Sequence, residues 1–221
     1  MSERIRVIVE WTEKKAFATA ADWPGWSRGA RTEAEALASL AAYAQRYAPV
    51  ARAAGLELPP PDAGGGSLEI VDRIEGSSGT SFGVPSHVAP SDREPLGAAD
   101  ADRRARLVEA AWATFERVAR GAPAELRKGP RGGGRDTMKI VAHVEEADRA
   151  YAAEMGIPVE LRGTRADLAT ARAAILDVLG RPTDGTPLGG RRWTTRYAAA
   201  RVAWHALDHA WEIEDRSGTG S

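Results

Sequence analysis

The sequence predicts an α+β fold, in which a small N-terminal ββαβ unit is followed by an antiparallel four-helix bundle. Short alternating segments with β-branched residues occur near the N-terminus, whereas four segments with apolar residues at helical spacing follow residue 100. A stretch rich in Gly, Ser and Pro separates them. We therefore expect domains over residues 1–75 and 101–216, a linker over 76–100 and a disordered tail over 217–221.

The strands of the N-terminal unit are predicted from alternation and from turn residues. Residues 5–11 (IRVIVEW) alternate and are β-branched, and residues 16–21 (AFATAA) are expected to pair with them as a hairpin. A Pro-Gly turn within residues 22–26 then breaks the pattern. Residues 67–74 (SLEIVDRI) are predicted to form the third strand.

One helix is predicted between the second and third strands. Thr32 precedes Glu35 by three residues, which is the spacing of a capping box at a helix N-terminus. Leu37 and Leu40 continue at helical spacing. Pro49 is expected to kink or end the first segment of this helix, and Gly55 to stop the remainder.

The C-terminal half carries four predicted helices joined by short connections, which is typical of an antiparallel bundle. Their expected inner faces carry regularly spaced apolar residues, such as Leu107 and Phe115 in the first and Ile140 in the second. The expected helices cover residues 102–120, 136–155, 164–179 and 192–215. In the linker before them, Phe82 and Val84 are apolar enough that we expect them to dock on a domain.

Composition excludes several classes of function. The formal net charge of −1 gives no general attraction to nucleic acid or to an anionic membrane. The chain has no cysteine, which excludes disulfides, thiolate metal sites and a thiol nucleophile of its own. We expect a cytoplasmic protein, because the N-terminus lacks the apolar core of a signal peptide and no segment is apolar enough to span a membrane.

Three of the four histidines suggest a metal site. His205 and His209 are spaced i and i+4, so on a helix their Cβ atoms lie about 5–6 Å apart. His143 lies beside the apolar stripe of the second helix and is expected to point into the bundle. Three imidazoles that leave one coordination position open are the arrangement of a catalytic metal, which acidifies a bound water or thiol.

Other polar residues near these histidines are candidates for supporting roles. Glu146, Asp208 and Glu212 are placed to hold the imidazole tautomers. Arg201 lies one turn before His205, where it could reach a substrate anion, pair with an acid or simply be exposed. The Gly/Arg loop at residues 131–135 is either an anion-binding lip or an ordinary connection.

Three alternatives to a catalytic metal site remain open on the residues alone. The histidines could be hydrogen-bonded core residues, or they could hold a structural ion in a scaffold that engages a partner. A sensor that binds a small molecule without turning it over is a third possibility. A three-histidine set also suits Zn, Ni, Fe or Mn comparably, although zinc is the first expectation.

The helical half resembles the DinB/YfiT-like family, whose members carry one histidine on the second helix and an HxxxH pair on the last. The matching segments are HVEEADRAY at residues 143–151 and WHALDHAWEIEDR at 204–216, and the resemblance covers residues 102–216. It implies a divalent metal held by three histidines. It also implies a small-molecule substrate and a small thiol cosubstrate such as mycothiol or bacillithiol, in an isomerase, an S-transferase or a hydrolase-like enzyme.

The N-terminal unit resembles the HicB-like fold, on the residues AFATAADWPGWSRGARTEAEAL at 16–37. Proteins of this type often bind DNA through an added domain. This chain shows no helix-turn-helix and no basic face, so we expect no nucleic-acid partner. The unit is instead expected to cover the metal site, to engage a protein partner or to mediate formation of a homodimer.

Overall fold

The computed structural model describes residues 4–59, 67–128, 134–159 and 164–218. The strands are β1 (Ile5–Trp11), β2 (Ala16–Ala20), β3 (Ser27–Ala30) and β4 (Leu68–Glu75). The helices are α1 (Glu33–Ala42), α2 (Ala44–Ala53), α3 (Ser78–Phe82), α4 (Ala98–Gly121), α5 (Thr137–Glu154), α6 (Arg165–Leu179) and α7 (Thr195–Ser217). Residues 131–133 of the predicted Gly/Arg loop and residues 219–221 of the predicted tail lie outside the described residues.

The N-terminal strands form a mixed four-stranded sheet in the order β3-β2-β1-β4. β1 and β2 pair as the predicted antiparallel hairpin, whose turn is closed by a hydrogen bond from the Thr12 N–H to the Lys15 carbonyl at 2.8 Å. β4 runs parallel to β1. A parallel neighbour requires a crossover connection, and α1 and α2 lie in that connection.

The N-terminal unit differs from the ββαβ prediction in two respects. A third strand, β3, pairs antiparallel with β2, and its sequence SRGA has too little alternation to be recognised in isolation. The predicted helix is also divided, but the division lies at Tyr43 and not at Pro49, which lies inside α2. The capping box of Thr32 and Glu35 is present as predicted.

The two faces of the sheet pack against different parts of the chain. Val7 and Val9 alternate with Ile8 along β1, so their side chains lie on one face of the sheet and that of Ile8 lies on the other. On the first face, Val7 and Val9 belong to a buried cluster with Leu40 of α1 and Tyr47 of α2. Ile8 belongs to a second small cluster with Ala89. The connecting segment, which we define as residues 76–97, therefore covers part of the second face of the sheet.

The connecting segment packs against the rest of the protein through other residues than the predicted Phe82. Phe82 is 88% exposed, so the predicted docking of this side chain is wrong. Ala89, Asp92 and Leu96 are buried instead. The Asp92 carboxylate accepts a hydrogen bond from the Ala89 N–H at 2.9 Å, and Leu96 pairs with Thr183 through backbone hydrogen bonds.

The C-terminal helices pack around one hydrophobic core. α4 contacts α6 and α7, and α5 also contacts α6 and α7. The predicted inner residues of α4 are buried, among them Leu107 and Phe115. The same core cluster continues into the N-terminal sheet. In the described part of the chain, no helix is both long enough and apolar enough to cross a membrane.

Gly25, in the Pro-Gly turn, packs closely against α7. Its φ is +93°, and a Cβ atom built there would lie 2.7 Å from Leu207 Cδ1 and 3.1 Å from Ala203 Cβ. We expect Gly25→Ala to lower the free energy of unfolding by about 2–4 kcal/mol, because backbone strain adds to overpacking. Urea denaturation measures this change.

The matched control for Gly25 is Gly121, where an added Cβ atom would have no heavy atom within 4 Å and where φ is not positive. Gly121→Ala is expected to change the free energy of unfolding by less than about 0.5 kcal/mol. Equal effects of the two substitutions would contradict the close packing of the turn on α7.

Candidate metal centre

Three imidazoles converge between α5 and α7. His143 comes from α5, whereas His205 and His209 lie one turn apart on α7. The ring centroid of His143 lies 5.0 Å from those of both other histidines, and the rings of His205 and His209 are 4.7 Å apart. One potential ligand atom from each residue lies within 4.8 Å of the other two.

The spacing of the nitrogen atoms fits a tetrahedral metal. Nε2 of His143 and Nε2 of His205 are 3.3 Å apart. Metal–nitrogen distances of about 2.0–2.1 Å in a tetrahedron place two ligand nitrogens about 3.3–3.4 Å apart. Nδ1 of His209 bonds to Glu212, which leaves its Nε2 as the nitrogen available to an ion. The donor set therefore fits a divalent cation bound by three imidazoles.

The surroundings keep these imidazoles in the form that binds metals. His205 is only 7% exposed, and burial, followed by the nearby His209 and Arg201, lowers its pKa to about 2. Burial also lowers the pKa of His143, with a further contribution from Arg135. Near neutral pH both rings are uncharged and keep a nitrogen lone pair, which coordination requires.

Glu212 orients His209. Its Oε2 accepts a hydrogen bond from Nδ1 of His209 at 2.8 Å, and its Oε1 accepts one from Nη1 of Arg216 at 2.8 Å. The bond to His209 lowers the pKa of Glu212, so the carboxylate stays charged. A carboxylate on the far nitrogen fixes the tautomer of a ligating imidazole and increases its basicity. By contrast, Nδ1 of His205 is buried without a hydrogen-bond partner among the described residues.

The structure does not bring the other predicted supporting carboxylates to the imidazoles. The carboxylate of Asp208 accepts a hydrogen bond from Nη1 of Arg28 in β3 at 3.1 Å. This contact joins α7 to the sheet. Glu146 is exposed, and no hydrogen bond joins it to an imidazole in the described part of the chain. Its charge is better solvated at the exposed surface of α5.

Arg201, the remaining candidate, lies beside the centre rather than in it. Its guanidinium carbon is 5.4 Å from the ring centre of Tyr151 and 4.7 Å from that of Trp204. The ring of Tyr151 in turn lies 5.6 Å from that of His205. Helical spacing predicts that Tyr151 faces inward, but it does not predict this contact with His205.

A buried ion pair that the sequence did not predict fixes the position of α5. Asp148 is fully buried and accepts hydrogen bonds from Nε of Arg172 at 2.8 Å and from Nε1 of Trp112 at 3.2 Å. These contacts join α5 to α6 and α4. The signal in the sequence was an aspartate four residues after Val144, on the apolar stripe of the helix.

Removing the Glu212 carboxylate is expected to weaken metal binding without removing a ligand. We expect Glu212→Ala to reduce the affinity for Zn²⁺ by about 10- to 100-fold, because the orientation of His209 is lost. Competition with a chromophoric chelator measures this affinity. Glu214→Ala is the control, since Glu214 bonds to Arg46 on another side of α7. If both variants bind zinc equally well, Glu212 has no role in orienting His209.

Comparisons with known proteins do not assign the chain to a family. No family model, curated protein or solved structure matches it.

Proposed function

We propose that the chain is a divalent-metal-dependent enzyme whose ligands are His143, His205 and His209. The observation that carries this proposal is the 3.3 Å separation of two Nε2 atoms from different helices, with a third imidazole in reach. We further propose that α4 to α7 form an antiparallel four-helix bundle of the DinB type and that the N-terminal unit is HicB-like.

The exposure of the ligands favours catalysis over a closed structural site. His205 is buried, whereas His143 and His209 are each partly exposed. The cluster therefore has one enclosed side and one side that reaches the surface. Three protein ligands leave a coordination position for a substrate or a water molecule. Access from the side of His143 and His209 would let a small molecule reach that position.

A bound divalent ion would supply Lewis acidity that lowers the pKa of a thiol or water near neutral pH. Because the chain has no cysteine, a reacting thiol must enter as a cosubstrate. The protein groups supply binding and orientation: Glu212 holds His209, and Tyr151 packs against His205. We propose zinc as the ion, with Ni, Fe and Mn as the alternatives that this donor set also accepts.

The proposed activity is tested with zinc-loaded protein. The probes are 1-chloro-2,4-dinitrobenzene with mycothiol, bacillithiol or glutathione for thiol transfer, and 4-nitrophenyl acetate for hydrolysis. We expect turnover of at least one pair that is lost with EDTA, restored by zinc and absent in His209→Ala. Turnover that persists in EDTA, or no turnover with any pair, would contradict the proposal for these reaction classes.

The burial of His205 supports one competing function, a scaffold that holds a structural ion. In that case removal of the metal should unfold the protein, since the binding free energy of a structural ion contributes to the free energy of folding. Circular dichroism during heating, with and without EDTA, separates the two functions. An enzyme of the proposed kind keeps its helical signal and a cooperative transition after chelation.

A further inference from the structure

A second potential site lies between the sheet and α7. A cleft separates the second face of the sheet from this helix. Its walls include Ile8 and Glu10 of β1, Asp92 of the connecting segment, and Tyr197, Arg201 and Trp204 of α7. The three imidazoles of the candidate metal centre are not part of these walls. Clefts between packed units of a protein are common places for ligand sites.

Two hydrogen-bond donors in the walls lack partners. Nη1 of Arg201 and Nε1 of Trp204 are both buried, and neither has a hydrogen-bond partner among the described residues. The guanidinium of Arg201 stacks on the ring of Trp204, with 4.7 Å from its carbon to the ring centre. A buried donor without an acceptor costs about 1–3 kcal/mol, so two of them in one cleft indicate a missing acceptor.

The acidic groups of the cleft already have partners within the protein. Glu10 accepts hydrogen bonds from the Ser86 N–H at 3.0 Å, from the His87 N–H at 3.2 Å and from the hydroxyl of Thr80. All three donor residues belong to the connecting segment, so Glu10 anchors that segment to the sheet.

Asp92, the other acid of the cleft, accepts from the Ala89 N–H and faces the cations Arg104 and Arg196. Arg201, by contrast, forms no ion pair with any acid in the described ranges. The positive charge of Arg201 therefore has no acidic side chain paired with it among the described residues.

We propose that this cleft binds a small organic carboxylate, whose oxygens accept hydrogen bonds from Arg201 and Trp204. A guanidinium presents paired N–H donors that match the planar carboxylate group. Ile8, Ala21 and Ala200 line the same cleft and give an apolar surface for the body of the ligand. This site requires no metal, so the proposal for this cleft does not depend on the proposed enzyme activity.

The test uses the full chain in EDTA, with sodium benzoate as the probe. Two-dimensional ¹H–¹⁵N spectra follow the indole N–H of Trp204, which Trp204→Phe identifies by its loss. We expect benzoate to move this resonance downfield with saturation, because the indole gains an acceptor. Benzamide and benzamidine, which lack the negative charge, are expected to bind at least about tenfold more weakly.

Variants of Arg201 complete the test. Arg201→Gln is expected to weaken benzoate binding by about tenfold or more, whereas Arg192→Gln, which changes an exposed arginine, leaves it unchanged. His209→Ala should also leave it unchanged, whatever that variant does to metal binding. No saturable shift with benzoate, equal binding of benzoate and benzamide, or full binding in Arg201→Gln would overturn the proposal. If Arg201→Gln does not fold, the comparison of the three probes on the unchanged chain decides the question.

Discussion

His205→Ala is expected to lower the affinity for Zn²⁺ by about two orders of magnitude or more. Zinc sites have apparent binding free energies of about 10 kcal/mol or more, so the loss of one of three protein ligands removes roughly 3 kcal/mol. Each 1.4 kcal/mol corresponds to a factor of about ten. Competition with a chromophoric chelator at a fixed pH measures the change.

Two further histidine variants control this experiment. His209→Ala should cause a similar loss, and because its side chain is partly exposed, the substitution opens no large buried cavity. His87→Ala removes the one histidine outside the group, a ring that is 42% exposed and lies beside Glu10. It should bind zinc like the unchanged protein. Equal affinities in His205→Ala and His87→Ala would contradict the assigned ligands.

Asp148→Ala is expected to produce the largest loss of stability, about 3–5 kcal/mol. The substitution leaves the mostly buried guanidinium of Arg172 without its buried partner, and it also removes the acceptor for the indole N–H of Trp112. Removing one partner of a buried ion pair is strongly destabilising, and the carboxylate that Arg172 retains, that of Glu116, is about half exposed. The free energy of unfolding from urea denaturation measures the effect.

The control for Asp148 is a second Asp–Arg pair, at the C-terminal end of α6. Asp177 and Arg181 form an ion pair in which both side chains are more than half exposed. Asp177→Ala should therefore cost less than about 1 kcal/mol. Comparable losses in the two variants would show that Asp148 does not clamp α5 against its neighbours.

Features encoded by local spacing could be predicted from the sequence. The capping box of Thr32 and Glu35 starts α1, because its two hydrogen bonds involve only neighbouring residues. The HxxxH pair lies on one helix, and the apolar stripe of α5 directs His143 toward α7. Glu212 lies three residues after His209, which is also a distance set by the helix.

Features that depend on distant parts of the chain could not be predicted. β3 is a strand because it pairs with β2, and its four residues have no strand pattern of their own. Asp208 has a partner 180 residues away, so its proximity to His209 in the sequence was misleading. The cleft beside Arg201 is formed by the sheet, the connecting segment and α7, and no single one of these segments indicates it.

Anomalous diffraction at the zinc edge, from crystals of the full chain grown with zinc, tests the central claim most directly. The proposed centre predicts one anomalous peak about 2.0–2.1 Å from a nitrogen of each of His143, His205 and His209. His209 should coordinate through Nε2 while its Nδ1 remains bonded to Glu212. A peak located elsewhere, or three imidazoles in mutual contact with no peak between them, would contradict the assignment.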